Sequence, residues 1–109
     1  MIPAPADCRD LGEVRAGIDA VDDEIVALLA RRARYVERIA QLKPAAGVTA
    51  HAPDRRRQVM QRIDDAARKA GLAPELAAAV WTLIIDWATA HQEWLMASAA
   101  SGGAKLEHD

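Results

Sequence analysis

The chain contains no phenylalanine, a single cysteine, and no basic excess. Each shortage excludes something. One cysteine, Cys8, rules out an internal disulfide and fits a reducing compartment, so a cytoplasmic protein is expected. With 14 Lys and Arg against 16 Asp and Glu, the net charge of -2 argues against a nucleic-acid scaffold, which is normally basic. No apolar stretch is long enough to span a bilayer, so no membrane association is expected. The N-terminus lacks a basic segment followed by an apolar run, the pattern of a secretory leader. His51 and His91 have no partners at ligand spacing, so neither a metal nor a cofactor is expected. Cys8 has no nearby base and reads as inert.

What is present is 51% hydrophobic, mostly Ala, Leu, Ile and Val, with no alternating β-branched runs. That balance predicts an all-α fold. Leu11, Val14, Ile18, Val21, Ile25 and Leu28 step along the first third at alternating three- and four-residue intervals, and Arg32, Tyr35, Ile39 and Leu42 continue the rhythm. Such a repeat lays one apolar stripe along a helix, the seam of a coiled-coil-like packing. Arg32 sits on that stripe, where a guanidinium is costly unless an anion meets it.

The spacing predicts three helices: long, short, long. Met1–Arg9 reads as a loose lead-in, because Pro3 and Pro5 disfavour helix. Asp10 is an N-cap with Glu13 at capping-box spacing, and the first helix runs to Leu42 or Lys43 before Pro44 and Gly47 stop it. About 32 helical residues span roughly 48 Å. A compact domain of this size has a radius of gyration of about 13 Å, so the seam must continue against another surface, most simply a second copy of the chain. A second helix starts at Pro53 and stops at Gly71; a third opens at Pro74–Glu75 and carries Leu76, Val80, Leu83, Ile84, Trp87 and Leu95. Trp81, Trp87 and Trp94 read as core or interface packing. The domain is expected over residues 8–97, with flexible termini at 1–7 and 98–109 and a frayed tail over Lys105–Asp109.

The charges then fall into a pattern. Lys43 lies eleven residues beyond Arg32, nearly the same helix face three turns along. Arg15 precedes Arg32 by 17 residues, roughly 25 Å along the axis and on another face. Within one chain the two cannot share a pocket; in an antiparallel pair of helices, Arg15 of one copy approaches Arg32 of the other. Arg55, Arg56 and Arg57 follow a helix N-terminus, where anions are welcome, and at least one can turn inward. Gln92 places an amide beside Ala88 and Leu95. Taken singly, Lys43 complements a helix dipole, the three arginines form a solvated basic turn, and Arg32 pairs with an acidic residue across an interface. Together they form a cationic set.

In this order Arg15, Arg32, Lys43, Arg55 and Gln92 resemble the all-helical chorismate mutase family. The resemblance is carried by Leu11-Gly-Glu-Val-Arg-Ala-Gly-Ile-Asp-Ala-Val-Asp-Asp-Glu-Ile-Val, by Leu28-Leu-Ala-Arg-Arg with Lys43 beyond it, and by Ile84-Ile-Asp-Trp with Gln92 near the end; it covers roughly Cys8 to Met96. It implies an intertwined helical homodimer with two active sites, in which Arg15 reaches into the partner's site while Arg32, Lys43, Arg55 and Gln92 line their own. Two positions depart from the pattern. Arg56 stands where many mutases of the family carry a glutamate, and Ala88 where many carry a small hydroxyl residue. Asp7-Cys8, Ala52-Pro53-Asp54-Arg55 and the Trp87 region are similar to the isochorismate-pyruvate lyase branch.

The implied chemistry suits these residues. Chorismate is a small dicarboxylate whose rearrangement to prephenate breaks an ether C–O bond as a C–C bond forms, with no proton transfer and no covalent intermediate. Such a site needs arginine forks for two carboxylates. It also needs donors at the ether oxygen, where negative charge grows. The resemblance assigns Arg15 and Arg32 to the carboxylates, Lys43 and Gln92 to the ether oxygen, and Arg55 to carboxylate or ring-side binding. Three functions are expected in order: a chorismate mutase, an isochorismate-pyruvate lyase using the same clamp, and a non-catalytic helical dimer acting as an interaction module.

Overall fold

The computed structural model describes residues 3–47 and 49–106 and is helical throughout, with no strand among the described residues. A short 3-10 turn, Pro5–Asp7, precedes α1 (Leu11–Leu42), α2 (Pro53–Ala70) and α3 (Pro74–Leu106). The long-short-long order expected from the periodicity is present.

The 3-10 turn interrupts what the sequence reads as a loose lead-in. Pro5 presets the φ that a helical turn needs, and the amides of Asp7 and Cys8 donate to the carbonyls of Ala4 and Pro5. Residues 1 and 2 of that lead-in lie outside the described residues. Asp10 caps α1: its Oδ1 accepts from the Glu13 amide at 2.8 Å. Glu13 reaches back one residue further than a capping box requires, accepting from both the backbone N–H and the Nε of Arg9 at 3.3 Å.

The second helix ends where glycine permits. Gly71 adopts φ 73° and ψ 23°, and the Leu72 amide donates to the Ala67 carbonyl at 2.8 Å, closing a left-handed C-cap. The third helix runs past Met96, where its run of large apolar residues is broken, to Leu106. Ala97, Ala99, Ala100 and Ala104 carry it, since alanine loses the least on entering a helix. Of the expected tail, Lys105 and Leu106 are helical, and residues 107–109 lie outside the described residues.

Two compact units divide the chain, Met1–Tyr35 and Val36–Asp109, with the boundary inside α1. In the first unit the apolar stripe stays exposed, Leu11 at 67%, Ile18 at 54% and Leu28 at 58%. A groove of about 760 Å³ runs beside it, walled by Pro3, Pro5, Cys8, Val14, Ile18 and Val21, with Asp22 and Glu24 at its edge.

In the second unit α2 packs on α3. Val36, Ala40, Ala50, Val59, Ala67, Ala77, Ile85 and Ala88 are its buried apolar side chains. Small residues dominate because alanines let helix backbones approach closely. The larger side chains of α3 read from the sequence as its apolar face lie elsewhere: Leu76, Leu83 and Trp87 are exposed in the single chain. Trp94 is also exposed and Trp81 half-buried, so neither Trp87 nor Trp94 belongs to the core of this unit.

Candidate active site

Lys43 occupies the turn that follows α1, its amide donating to the Ile39 carbonyl at 2.9 Å. Its side chain folds back over the loop, and Nζ donates to the Ala50 carbonyl at 2.8 Å. Partial burial there lowers its pKa from the ordinary 10.5, because desolvation disfavours the ammonium. An ammonium has three donors, so two remain for a ligand.

Gln92 is the one polar residue buried among the described residues, 8% exposed, on a helix whose neighbouring faces are alanine-rich. Its Oε1 has no hydrogen-bond partner among them. Buried amides are nearly always satisfied, and an orphan acceptor costs free energy that a ligand donor recovers. The residues on either side of it are tied outward. His91 Nε2 lies 3.2 Å from Glu37 Oε2 on α1, and its ring stacks on Trp87 at 4.6 Å and on Trp94 at 6.1 Å. Glu93 pairs through Oε1 with Nε2 of His51, the residue after Ala50. The turn carrying Gln92 is thereby held between the C-terminal end of α1 and the loop that receives Lys43.

The arginine run at the start of α2 resolves into three roles. Arg57 pairs with Asp54 within the first turn. Arg56 is half-buried and forms an ion pair through Nη1 with Asp86 Oδ1 on α3, 2.8 Å away. Arg55, the residue taken from the resemblance, has an exposed side chain in the single chain. The arginine that turns onto α3 is therefore Arg56, the position where many family members carry glutamate.

Arg15 and Arg32 belong to the first unit, Arg15 exposed and Arg32 half-buried. The groove of that unit is lined by neither, and its Asp22 and Glu24 carry the wrong charge for a dianion. The structure thus links Lys43 and Gln92 through Ala50, His51 and Glu93, leaves Arg55 exposed, and places Arg15 and Arg32 in the other unit. His51, Glu93, Glu37 and His91 were not singled out as a pattern by the sequence. Both pairs join residues about 40 to 54 positions apart, and no local spacing announces such a contact. Among the described residues no group of three or more His, Cys, Asp or Glu could hold a metal ion.

Residues 14–93 match the model of the family described as chorismate mutase type II. The chain belongs to that family. Over 55 residues, half of the chain, it is 39% identical to the bifunctional chorismate mutase/prephenate dehydratase of Aquifex aeolicus, spanning 15% of that much longer protein. Over 88 residues, 81% of the chain, it is 32% identical to the isochorismate pyruvate lyase of Pseudomonas aeruginosa, spanning 86% of it. The matched stretch of the chorismate mutase type II family contains Arg15, Arg32, Lys43, Arg55 and Gln92. No helix among the described residues is long and apolar enough to cross a membrane.

Proposed function

We propose that this chain is a chorismate mutase, an isomerase converting chorismate to prephenate, working as a homodimer in the cytoplasm. Family membership and the mutase-bearing relative support the activity. The observation that carries the site is the burial of the Gln92 amide one residue from the tether that leads to Lys43: its Nε2 can donate to an ether oxygen while Oε1, without a partner among the described residues, is left to accept from a substrate hydroxyl.

In this reading Lys43 and the Gln92 amide group donate to the ether oxygen as its bond to carbon lengthens. Such donors act on charge that exists only near the transition state, so they raise kcat more than they tighten binding. Arg32 and the partner's copy of Arg15 hold the two carboxylates and fold the diacid into its reactive shape. Arg55 completes the cationic wall. No nucleophile, base or metal takes part, because the rearrangement is pericyclic.

Support for the homodimer comes from the first unit. Leu11, Ile18, Val21, Ile25 and Leu28 are each about half exposed or more along one helix face, an apolar patch that water alone does not tolerate well. A second copy covers such a stripe with the same stripe, a self-complementary arrangement. It also brings an exposed Arg15 to a site in the other chain. The single cysteine fits a reducing compartment such as the cytoplasm.

A second reading, isochorismate-pyruvate lyase, is favoured by the lyase relative, whose length the chain nearly spans. It uses the same cationic clamp: the ether C–O bond breaks while a ring hydrogen moves to the enolpyruvyl methylene, leaving salicylate and pyruvate. Purified protein incubated separately with chorismate and isochorismate decides between them. Loss of chorismate absorbance with prephenate formed supports the mutase; salicylate from isochorismate alone supports the lyase; no turnover of either overturns both.

A further inference from the structure

Between α1 and α2 the described residues form turns and no regular element, yet Ala50 among them is only 8% exposed. Two contacts hold the chain on either side of that position. The Ala50 carbonyl receives the Lys43 ammonium at 2.8 Å. The next side chain, His51, is tied to Glu93 on α3. Thr49 Oγ1 adds a bond to the His51 carbonyl at 3.2 Å, and Gly47, at φ 70°, supplies the turn that starts the loop back.

We propose that His51 and Glu93 are positioning residues: their pair pins the loop so that the Ala50 carbonyl aims the Lys43 ammonium toward the α3 turn that bears Gln92. The proposal rests on the reading of Lys43 and Gln92 as the donors to the ether oxygen. Without the tether, the Ala50 carbonyl belongs to a free loop, and Lys43, on four rotatable bonds, loses the acceptor that fixes its direction. A small displacement of a donor from its productive position costs rate rather than binding.

Several ionisable groups on the neighbouring elements are engaged elsewhere, while Arg55, on the first turn of α2, is exposed. On α2, Asp54 is held by Arg57 and Arg56 by Asp86; on α1, Glu37 is held by His91. Lys43 itself is given to Ala50, leaving Glu93 to His51. Both side chains are half exposed or more, which makes the pair a modest one and its removal harmless to folding.

The test uses the full chain with chorismate. Glu93→Ala and His51→Ala should each lower kcat about fivefold with KM changed less than about twofold, and the double variant should be no worse than either single. Glu93→Asp, which keeps a carboxylate for the imidazole, should restore part of the lost rate. A second measurement does not need turnover. The Lys43 Cε resonance, assigned by its loss in Lys43→Met, should titrate below 10.5 in the wild type, where burial lowers it, and its midpoint should move in Glu93→Ala as the ammonium leaves the Ala50 carbonyl. Unchanged kcat in both alanine variants, or a Lys43 titration that does not move, overturns the proposal. Absence of turnover by the wild type with chorismate and isochorismate overturns the mutase reading instead, and the titration still decides the positioning role.

Discussion

Lys43 and Ala50 are seven residues apart and joined by a 2.8 Å bond from ammonium to carbonyl, a contact that fixes where a flexible cation points. A lysine spent this way at the surface contributes little to folding. Its value lies in the two N–H groups left over.

Replacing Lys43 by Met keeps the length of the side chain and removes the donor. The expected result is a kcat lower by about a hundredfold to a thousandfold with KM raised only a few-fold, as for loss of a donor at developing charge. Steady-state kinetics on chorismate measures both. An intact kcat removes Lys43 from the mechanism.

Alkaline pH should do reversibly what that substitution does permanently. Burial holds the Lys43 pKa below 10.5 in the unliganded protein, so kcat/KM should fall as pH rises, with a midpoint below that value. Stability responds with the opposite sign. Between the folded pKa and 10.5 the unfolded chain binds the extra proton, so the penalty for the buried ammonium is full at neutral pH and is relieved as pH rises through that window. Comparing thermal midpoints of wild type and Lys43→Met isolates this group: their difference should change in favour of the wild type as the medium becomes alkaline, while its turnover declines.

Gln92 sets activity against stability more directly. Its Oε1 is buried and without a partner among the described residues, a penalty carried by the unliganded protein. Gln92→Leu fills the same space with no polar atom. Stability should hold or rise by about 1 kcal/mol, while kcat falls by about a hundredfold. Parallel melting and kinetics check this; a variant that loses stability as well shows that Gln92 has a structural partner.

How far the sequence carries depends on whether the cause is local. Asp10, Gly71 and the prolines at 53 and 74 act within one turn of themselves, so the helix limits are readable from the residues alone. The 3.5-residue stripe of α1 is equally plain. The burial pattern of α3 is not: periodicity nominates Leu76, Val80, Leu83, Ile84, Trp87 and Leu95, of which Ile84 and Leu95 are half-buried and the others exposed, while the structure buries Ala77, Ile85 and Ala88. Which of two apolar faces meets α2 depends on how closely the helices approach, and alanine gives little signal in a hydropathy pattern. The site divides the same way. Gln92 and Lys43 stand out by type and position, whereas Arg56, not Arg55, is the arginine that turns onto α3, because its partner Asp86 is 30 residues away.

The α2–α3 contact should therefore be intolerant of size. Ala77 is 2% exposed, and Ala77→Leu forces extra volume between the helices at a cost of about 1–3 kcal/mol. Gly71→Ala has free space around the new Cβ but φ 73°, and should cost about 1 kcal/mol through backbone strain alone. Urea denaturation with unchanged m values measures both; a neutral Ala77→Leu means that the two helices part more easily than their alanine contact implies.

Arg15 and Arg32 lie 17 residues apart on one helix, roughly 25 Å along its axis, too far to grip one small diacid within a chain. If the active site is completed across a dimer, defects in different arginines are complementary. Arg15→Ala and Lys43→Met should each abolish most activity alone. Mixed in equal amounts, unfolded together and refolded, half of the dimers are heterodimers. Each heterodimer then has one site with Lys43 from the first variant and Arg15 from the second, and a second site lacking both. Recovery of about a quarter of wild-type activity is expected, since half of the dimers carry one intact site of two. A dimer whose mixture stays inactive has its arginines acting within their own chain, and the seam along α1 is then an assembly surface alone.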